Sequence, residues 1–409
     1  MCETDHDQPL EVQVRNFVNM KLSIIVSLLS ATALAVPVVE ERQATCNVPT
    51  TFPTTANAKL PNPFKFFDGR SVTTKADFQC KNQEVGAALQ AQELGVFPPK
   101  PSSVTASFSG NSLSITASEA GKSITFSVSI RKPSGSGPFP AIIAYGAASI
   151  PIPNGVATII FNNDDIAAQQ GQSSRGQGKF YNLYGSGHSA GALTAWAWGV
   201  DRIIDALEIT PSAGIDPKRV GVTGCSRNGK GAFVAAAFVK RIALGLPQES
   251  GAGGAACWRI SDSEKAKGKN IQTASQIVGE NVWFSPRFNA FSTRANTLAI
   301  DHHQLAGMVA PRGLLVIENE IDWLGPVSTT ACMKAGRLIY KALGVPDNMG
   351  FTGSGNHNHC SFPSNQQADL TAFISKFLLN QNTNTANIER GPGGADVGTY
   401  IDWTTPTLT

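Results

Sequence analysis

The residues best equipped for chemistry in this chain stand in Val220-Gly-Val-Thr-Gly224-Cys225-Ser226-Arg227-Asn228-Gly229-Lys230. A short apolar run of strand type leads into a serine behind a glycine, and a helical pattern follows at once. Strand, tight turn and helix in that order raise a serine hydroxyl above the C-terminal edge of a sheet, where it serves as a nucleophile. The N-terminus of the helix adds partial positive charge where an oxyanion would form. The usual spacing of such an elbow is Gly-x-Ser-x-Gly. Here Asn228 holds the second glycine's place, and Gly229 arrives one residue late. The competing reading is a serine that merely caps the following helix. The three features together weigh against it.

A serine nucleophile needs a base, and imidazole titrates near neutrality. Of six histidines, His6 stands close to the chain start, and His188, His302 and His303 precede residues 313–318, read as the last strand. A base placed after that strand falls in Gly355-Asn356-His357-Asn358-His359-Cys360. If Cys360 were joined to Cys225, their Cα atoms would lie about 5.5–6 Å apart, and Ser226 and His359 would be drawn together. On that condition His359 is preferred, with His357 left open. For the carboxylate that orients the imidazole, the residues alone point to the end of 313–318, where Glu318, Glu320 and Asp322 stand. No HExxH, CxxC or zinc-type Cys/His cluster occurs, so no metal and no cofactor is implied.

Several elements must position these groups. Residues 103–131 alternate in strand fashion, with turns at 109–111 and 118–121. Residues 139–146 form a continuous apolar run suited to a strand buried on both faces. Helical spacing marks 76–94, 193–207, 229–240, 330–343 and 367–378, while 220–223, 242–246 and 313–318 read as strands. Strands alternating with helices predict an α/β fold with a mainly parallel central sheet and helices on both faces. An irregular arm (44–72) and an irregular tail (381–409) flank this pattern. Without repeats or low-complexity linkers, 44–409 reads as one catalytic domain with no separate binding module.

Composition excludes several function classes. The 409 residues are 42% hydrophobic and 15% charged, too apolar for a disordered chain. The net charge of +3 arises from 33 basic and 30 acidic residues without a basic stripe, so no nucleic-acid partner is expected. One long apolar run, 22–35, follows Met20-Lys21 and closes on Ala33-Leu34-Ala35, the pattern of a secretory signal peptide rather than a membrane span. Residues 1–19 then read as an extension ahead of a true start at Met20, and the protein is expected outside the cell. Seven cysteines occur, and setting Cys2 aside leaves an even six, which suggests three disulfides. Spacing alone does not choose among the 15 pairings that six cysteines allow.

Together these residues resemble the glucuronoyl esterases, carbohydrate esterase family 15, in their secreted fungal form. Residues 224–230 match the family's Gly-Cys-Ser-Arg-x-Gly-Lys elbow, the late glycine included, and the His-x-His-Cys block at 357–360 and Asn-Glu-Ile-Asp-Trp-Leu-Gly at 319–325 match as well. The likeness runs from Cys46 to Trp403. It implies an α/β-hydrolase fold, a three-layer sandwich. It implies Ser226 as nucleophile, His359 as base and Glu249 as acid, with Glu320 or Asp322 in reserve, and Arg227 as a stabiliser of the oxyanion. Lys230, Gln272, Glu280 and Trp323 match the family's sugar-contacting residues. The implied disulfides are Cys46–Cys80, Cys225–Cys360 and Cys257–Cys332. The implied reaction is hydrolysis of esters between 4-O-methyl-D-glucuronic acid of glucuronoxylan and lignin alcohols, by a monomer acting on lignin–carbohydrate complexes. Rival readings are an acetyl-xylan or feruloyl esterase and a non-catalytic carbohydrate-binding relative.

Overall fold

The computed structural model describes residues 46–392 and 394–409, so the apolar run 22–35 expected to be a signal peptide, Cys2 and His6 lie outside the described residues. Ten strands form one sheet: β1 (Ser103–Ser109), β2 (Ser112–Glu119), β3 (Lys122–Arg131), β4 (Phe139–Tyr145), β5 (Ala157–Phe161), β6 (Ile215–Cys225), β7 (Leu244–Gln248), β8 (Gly313–Asn319), β9 (Met349–Ser354) and β10 (Glu389–Arg390). Their order is β1-β2-β3-β5-β4-β6-β7-β8-β9-β10. β1 to β3 form an antiparallel meander, and β3 meets β5 antiparallel. Every later neighbour pair, from β5–β4 to β9–β10, is parallel.

Residue type explains which strands sit where. In β3, Ile124, Phe126, Val128 and Ile130 are buried while Thr125, Ser127 and Ser129 between them are exposed, as expected for a strand with one wet face. The central strands have no wet face. Ile143, Val222, Leu314 and Val316 join a large core beneath the helices Ala192–Ile209, Arg227–Phe238 and His302–Val309. Their neighbours Ile142, Leu246, Leu315 and Ile317 point the other way, into a smaller core with Leu370, Phe373 and Ile374 of the helix Gln367–Phe377. Each such side chain contributes about 1.5–3 kcal/mol on burial. The result is the three-layer sandwich of the α/β-hydrolases, with unequal helical layers. Among the described residues, no helix is long and apolar enough to cross a membrane.

The strand reading needs one correction that matters for chemistry. Residues 313–318 belong to β8, which is not the last strand; β9 follows it and leads into the histidine loop. Met349-Gly-Phe-Thr-Gly-Ser has two glycines and no β-branched aliphatic residue, so it lacks a strand signature of its own. Pairing in register with Leu314–Asn319 makes it a strand. A Cβ at Gly350 would stand 3.1 Å from Ile388, so glycine there lets the tail lie alongside. The tail is irregular apart from β10 and a 3-10 turn at Val397–Thr399, yet it is packed: Trp403 and Leu408 are buried with Phe64, Phe66 and Phe78, and the Trp403 indole donates to the Leu60 carbonyl (3.1 Å). Cys46 pairs with Cys80, so the arm is tied down as expected.

His302 and His303 belong to this framework. The His302 ring lies between the Gly254 carbonyl and the Glu93 carboxylate (Nε2–Oε1 2.7 Å), two acceptors that call for a proton on each nitrogen. Burial opposes the charge, but Glu93 outweighs it and the pKa stands above the ordinary value. The segment after β7 is thereby fastened to the short π-turn Gln90–Leu94.

Candidate active site

Parallel register brings the C-terminal ends of four strands to one edge. Cys225 pairs with Gln248, Gln248 with Ile317, and Ile317 with Thr352. Ser226 follows β6 with φ 61° and ψ −125°, a conformation rare for a residue with a side chain. Its N–H donates to the Gln248 carbonyl (2.9 Å), which holds the turn against β7. Close packing explains the elbow's glycines. A Cβ at Gly224 would lie 2.5 Å from the Asn228 carbonyl oxygen, and one at Gly229 would lie 2.4 Å from that of Gln248. Asn228 contributes a side chain instead: its amide donates to the Tyr145 carbonyl (3.3 Å) and its oxygen accepts from Asn163 (3.1 Å). The late glycine is therefore a change in which residue meets β7.

Glu249 comes directly after β7 with φ 44° and is 1% exposed. Its Oε2 accepts from His359 Nδ1 (2.7 Å), the Cys360 N–H (2.9 Å) and Asn319 Nδ2 (3.3 Å). A carboxylate on Nδ1 fixes the proton there and leaves Nε2 as the lone-pair nitrogen. Cys225 and Cys360 form a disulfide with Cα atoms 5.7 Å apart, so the residues next to each, Ser226 and His359, are drawn to one place. A ring nitrogen of His359 lies within 4.8 Å of both sulfurs, which are spent on each other and offer nothing to a metal. Cys257 pairs with Cys332, completing the three implied bridges.

The alternatives stand apart from this contact. His357 turns its ring to the chain, with Nε2 3.0 Å from the Ser354 carbonyl and Nδ1 3.9 Å from Glu249. Glu318 lies under the loop after Glu249 and accepts from Ser250. Glu320 lies beside Gly355, and Asp322 opens a one-turn 3-10 helix. The end of β8 thus does not supply the carboxylate that meets His359; β7 does. The positive φ of Glu249 turns its side chain into the cleft, and Asn319 is what β8 sends there.

Around this trio the structure gathers the remaining expected residues. Trp323 meets the His359 ring edge-on, with centroids 4.8 Å apart. The Trp323 carbonyl accepts from the Gln272 N–H (3.2 Å), and the Gln272 side chain donates to Glu280 (3.3 Å). Lys230 is buried and donates to the Ser250 carbonyl (2.6 Å). Burial pulls its ammonium down to about 8, against the attraction of Glu318 and Glu280. Arg227 is exposed at the helix start and pairs with no carboxylate among the described residues. Both its guanidinium and the Lys230 ammonium lie 5.7 Å from the centroid of one ring, Trp283. Sequence reasoning missed Trp283. Between Val282 and Phe284 it reads as core, and no local spacing links it to Arg227. Its indole donates to Gln169 (2.9 Å), which fixes the ring.

Comparison with known proteins agrees with this geometry. Residues 115–344 match the family model described as glucuronyl esterase, fungi. The chain belongs to the fungal glucuronyl esterase family. It is therefore an ester-hydrolysing enzyme, and the resemblance to carbohydrate esterase family 15 holds. A 4-O-methyl-glucuronoyl methylesterase of Neurospora crassa is 59% identical over 381 residues, covering 93% of this chain and 97% of that one. The glucuronoyl esterase catalytic domain from Hypocrea jecorina superposes with a TM-score of 0.87 at 59% identity, over 88% of this chain and all of the other. A mutant glucuronoyl esterase from Sporotrichum thermophile, solved with methyl 4-O-methyl-β-D-glucopyranuronate, gives a TM-score of 0.88 at 58% identity, over 89% of this chain and all of the other. In this family member the unusual elbow, the carboxylate of Glu249 just after β7 and the Cys225–Cys360 disulfide beside His359 form one assembly.

Proposed function

We propose that this enzyme hydrolyses the ester between 4-O-methyl-D-glucuronic acid of glucuronoxylan and lignin alcohols, with Ser226, His359 and Glu249 as its catalytic residues. The observation that carries the reading is the contact of buried Glu249 with half-buried His359, bridged to Ser226 by Cys225–Cys360 and bordered by Lys230, Gln272, Glu280 and Trp323. Ser226 Oγ attacks the uronoyl carbonyl and gives its proton to His359 Nε2. Glu249 balances the imidazolium. The developing oxyanion is met by the helix N-terminus and by Arg227, a charged donor. His359 then returns the proton to the departing alcohol. Water, deprotonated by the same ring, attacks the acyl-enzyme; the imidazolium gives that proton to Ser226 Oγ as the ester bond breaks, and glucuronate is released.

On the sugar side, Lys230 donates to a ring or hydroxyl oxygen, Glu280 accepts from hydroxyls, and Trp323 lends an apolar face. Three disulfides suit an oxidising compartment, and we place the enzyme outside the cell as a monomer acting on wall polymers. Purified mature protein assayed on benzyl 4-O-methyl-glucuronate and on an aryl acetate tests the reading. Strong preference for the uronate is the expected result; preference for the acetate would hand the site to a general carbohydrate or feruloyl esterase activity.

A pH dependence follows from Lys230. Its ammonium is charged and able to donate below about 8, and becomes neutral above it. KM for the uronate is expected to rise as pH passes through about 8, a step absent from the acetate profile. Parallel profiles for the two substrates would remove Lys230 from sugar binding.

A further inference from the structure

One buried carboxylate close to the site takes no part in the mechanism. Glu318 is 5% exposed, and its Oε1 accepts from both the N–H (2.9 Å) and the hydroxyl (3.0 Å) of Ser250. Ser250 is fully buried, and its hydroxyl also accepts from the Ala255 N–H (2.9 Å). Its carbonyl receives the Lys230 ammonium at 2.6 Å. The turn behind it is close-packed, since a Cβ at Gly254 would lie 2.5 Å from the Ser250 hydroxyl. We propose that Glu318 is a positioning residue for substrate recognition: it clamps the Ser250 peptide, and that peptide aims Lys230 at the sugar.

The physical argument concerns what a buried lysine and a buried carboxylate each require. A lysine carries a flexible four-carbon stem and a compact charge, so it needs a fixed acceptor to hold one orientation. The Ser250 carbonyl is that acceptor, and it is no more rigid than its own peptide. Glu318 holds that peptide through its N–H and its side chain at once. An ionised carboxylate is costly to bury, and the cost is offset only by donors and a nearby positive charge. Ser250 supplies the donors. The attraction of Glu318 is one of the influences that keep Lys230 from losing more of its charge to burial. Glu318 is raised to about 7, chiefly by burial, with the repulsion of Glu249 adding to it. Its place is thus neither that of the acid on His359 nor that of a surface ion pair.

The inference rests on the reading that Lys230 contacts the uronate. A test measures kcat/KM for benzyl 4-O-methyl-glucuronate and for an aryl acetate in wild type, Lys230→Ala, Glu318→Gln and the double variant. Hydrogen bonds to charged groups commonly carry about tenfold or more. Glu318→Gln is expected to lower the uronate-to-acetate ratio about tenfold, mainly through KM, and to add little once Lys230 is gone. If Lys230→Ala keeps the wild-type ratio, the sugar reading of Lys230 fails, whatever Glu318 does. If Lys230→Ala lowers the ratio while Glu318→Gln leaves it alone, or acts in full on top of Lys230→Ala, the role of Glu318 is overturned. Should Glu318→Gln not fold, Ser250→Ala serves in its place: it removes the hydroxyl arm of the clamp, along with the bond from the Ala255 N–H, and leaves the Ser250 N–H on Glu318. A fall of about threefold in the ratio is then expected, and an unchanged ratio rejects the proposal.

Discussion

Ser226→Ala is expected to lower kcat for the uronate ester by about 10⁵–10⁶-fold while leaving the protein folded. Without Oγ no acyl-enzyme forms, and what remains is the smaller acceleration from oxyanion stabilisation and binding. The stability side of the prediction comes from the structure. Ser226 occupies the N-cap of the helix Arg227–Phe238, yet its side chain makes no capping hydrogen bond there. The loss of about 1 kcal/mol usual for a cap residue is therefore not expected. The backbone at φ 61° strains alanine as it strains serine. Thermal melts of the two proteins are expected to superpose, and the variant should still bind the uronate by calorimetry. Residual turnover above a hundredth of wild type would remove Ser226 as the nucleophile.

Glu249→Gln carries the second largest expected effect, a loss of about 10³–10⁴-fold in kcat. Oε2 of Glu249 accepts three hydrogen bonds, from His359, the Cys360 N–H and Asn319. A glutamine has one acceptor oxygen and a donating amide, so in one rotamer it turns N–H groups on N–H groups. In the other it meets His359 but offers no charge to the imidazolium. Glu320→Gln and Asp322→Asn are the controls, because both residues lie near the same edge without touching the ring. They are expected to stay within about twofold of wild type, the size of a distant surface change. Should either cost as much as Glu249→Gln, Glu249 is the wrong acid.

Much of this molecule could be read without its fold. The elbow around Ser226 is a local object: strand, tight turn and helix are encoded within about eleven residues, by small side chains at Gly224 and Gly229 and apolar ones on each side. The alternating strands 103–131 and the doubly buried 139–146 announce themselves by period, because one wet face or none leaves a distinct pattern. Family resemblance added the disulfide pairing and the choice of Glu249, neither of which follows from spacing.

The rest depended on tertiary structure. Met349–Ser354 has no strand signature and becomes one only through β8 beside it. Glu249 and His359 are 110 residues apart, and Arg227 and Trp283 meet across the cleft with nothing in the local pattern of either to foretell it. Between His357 and His359, or between Glu249 and Glu318, residue type decides nothing, since each pair offers identical chemistry. What separates them is side-chain direction, set by a positive φ at Glu249 and by where a disulfide holds Cys360. Sequence patterns report forces that act over a turn or two of chain. Backbone direction at a strand end answers to the whole sheet, and here the sheet decided which carboxylate meets which imidazole.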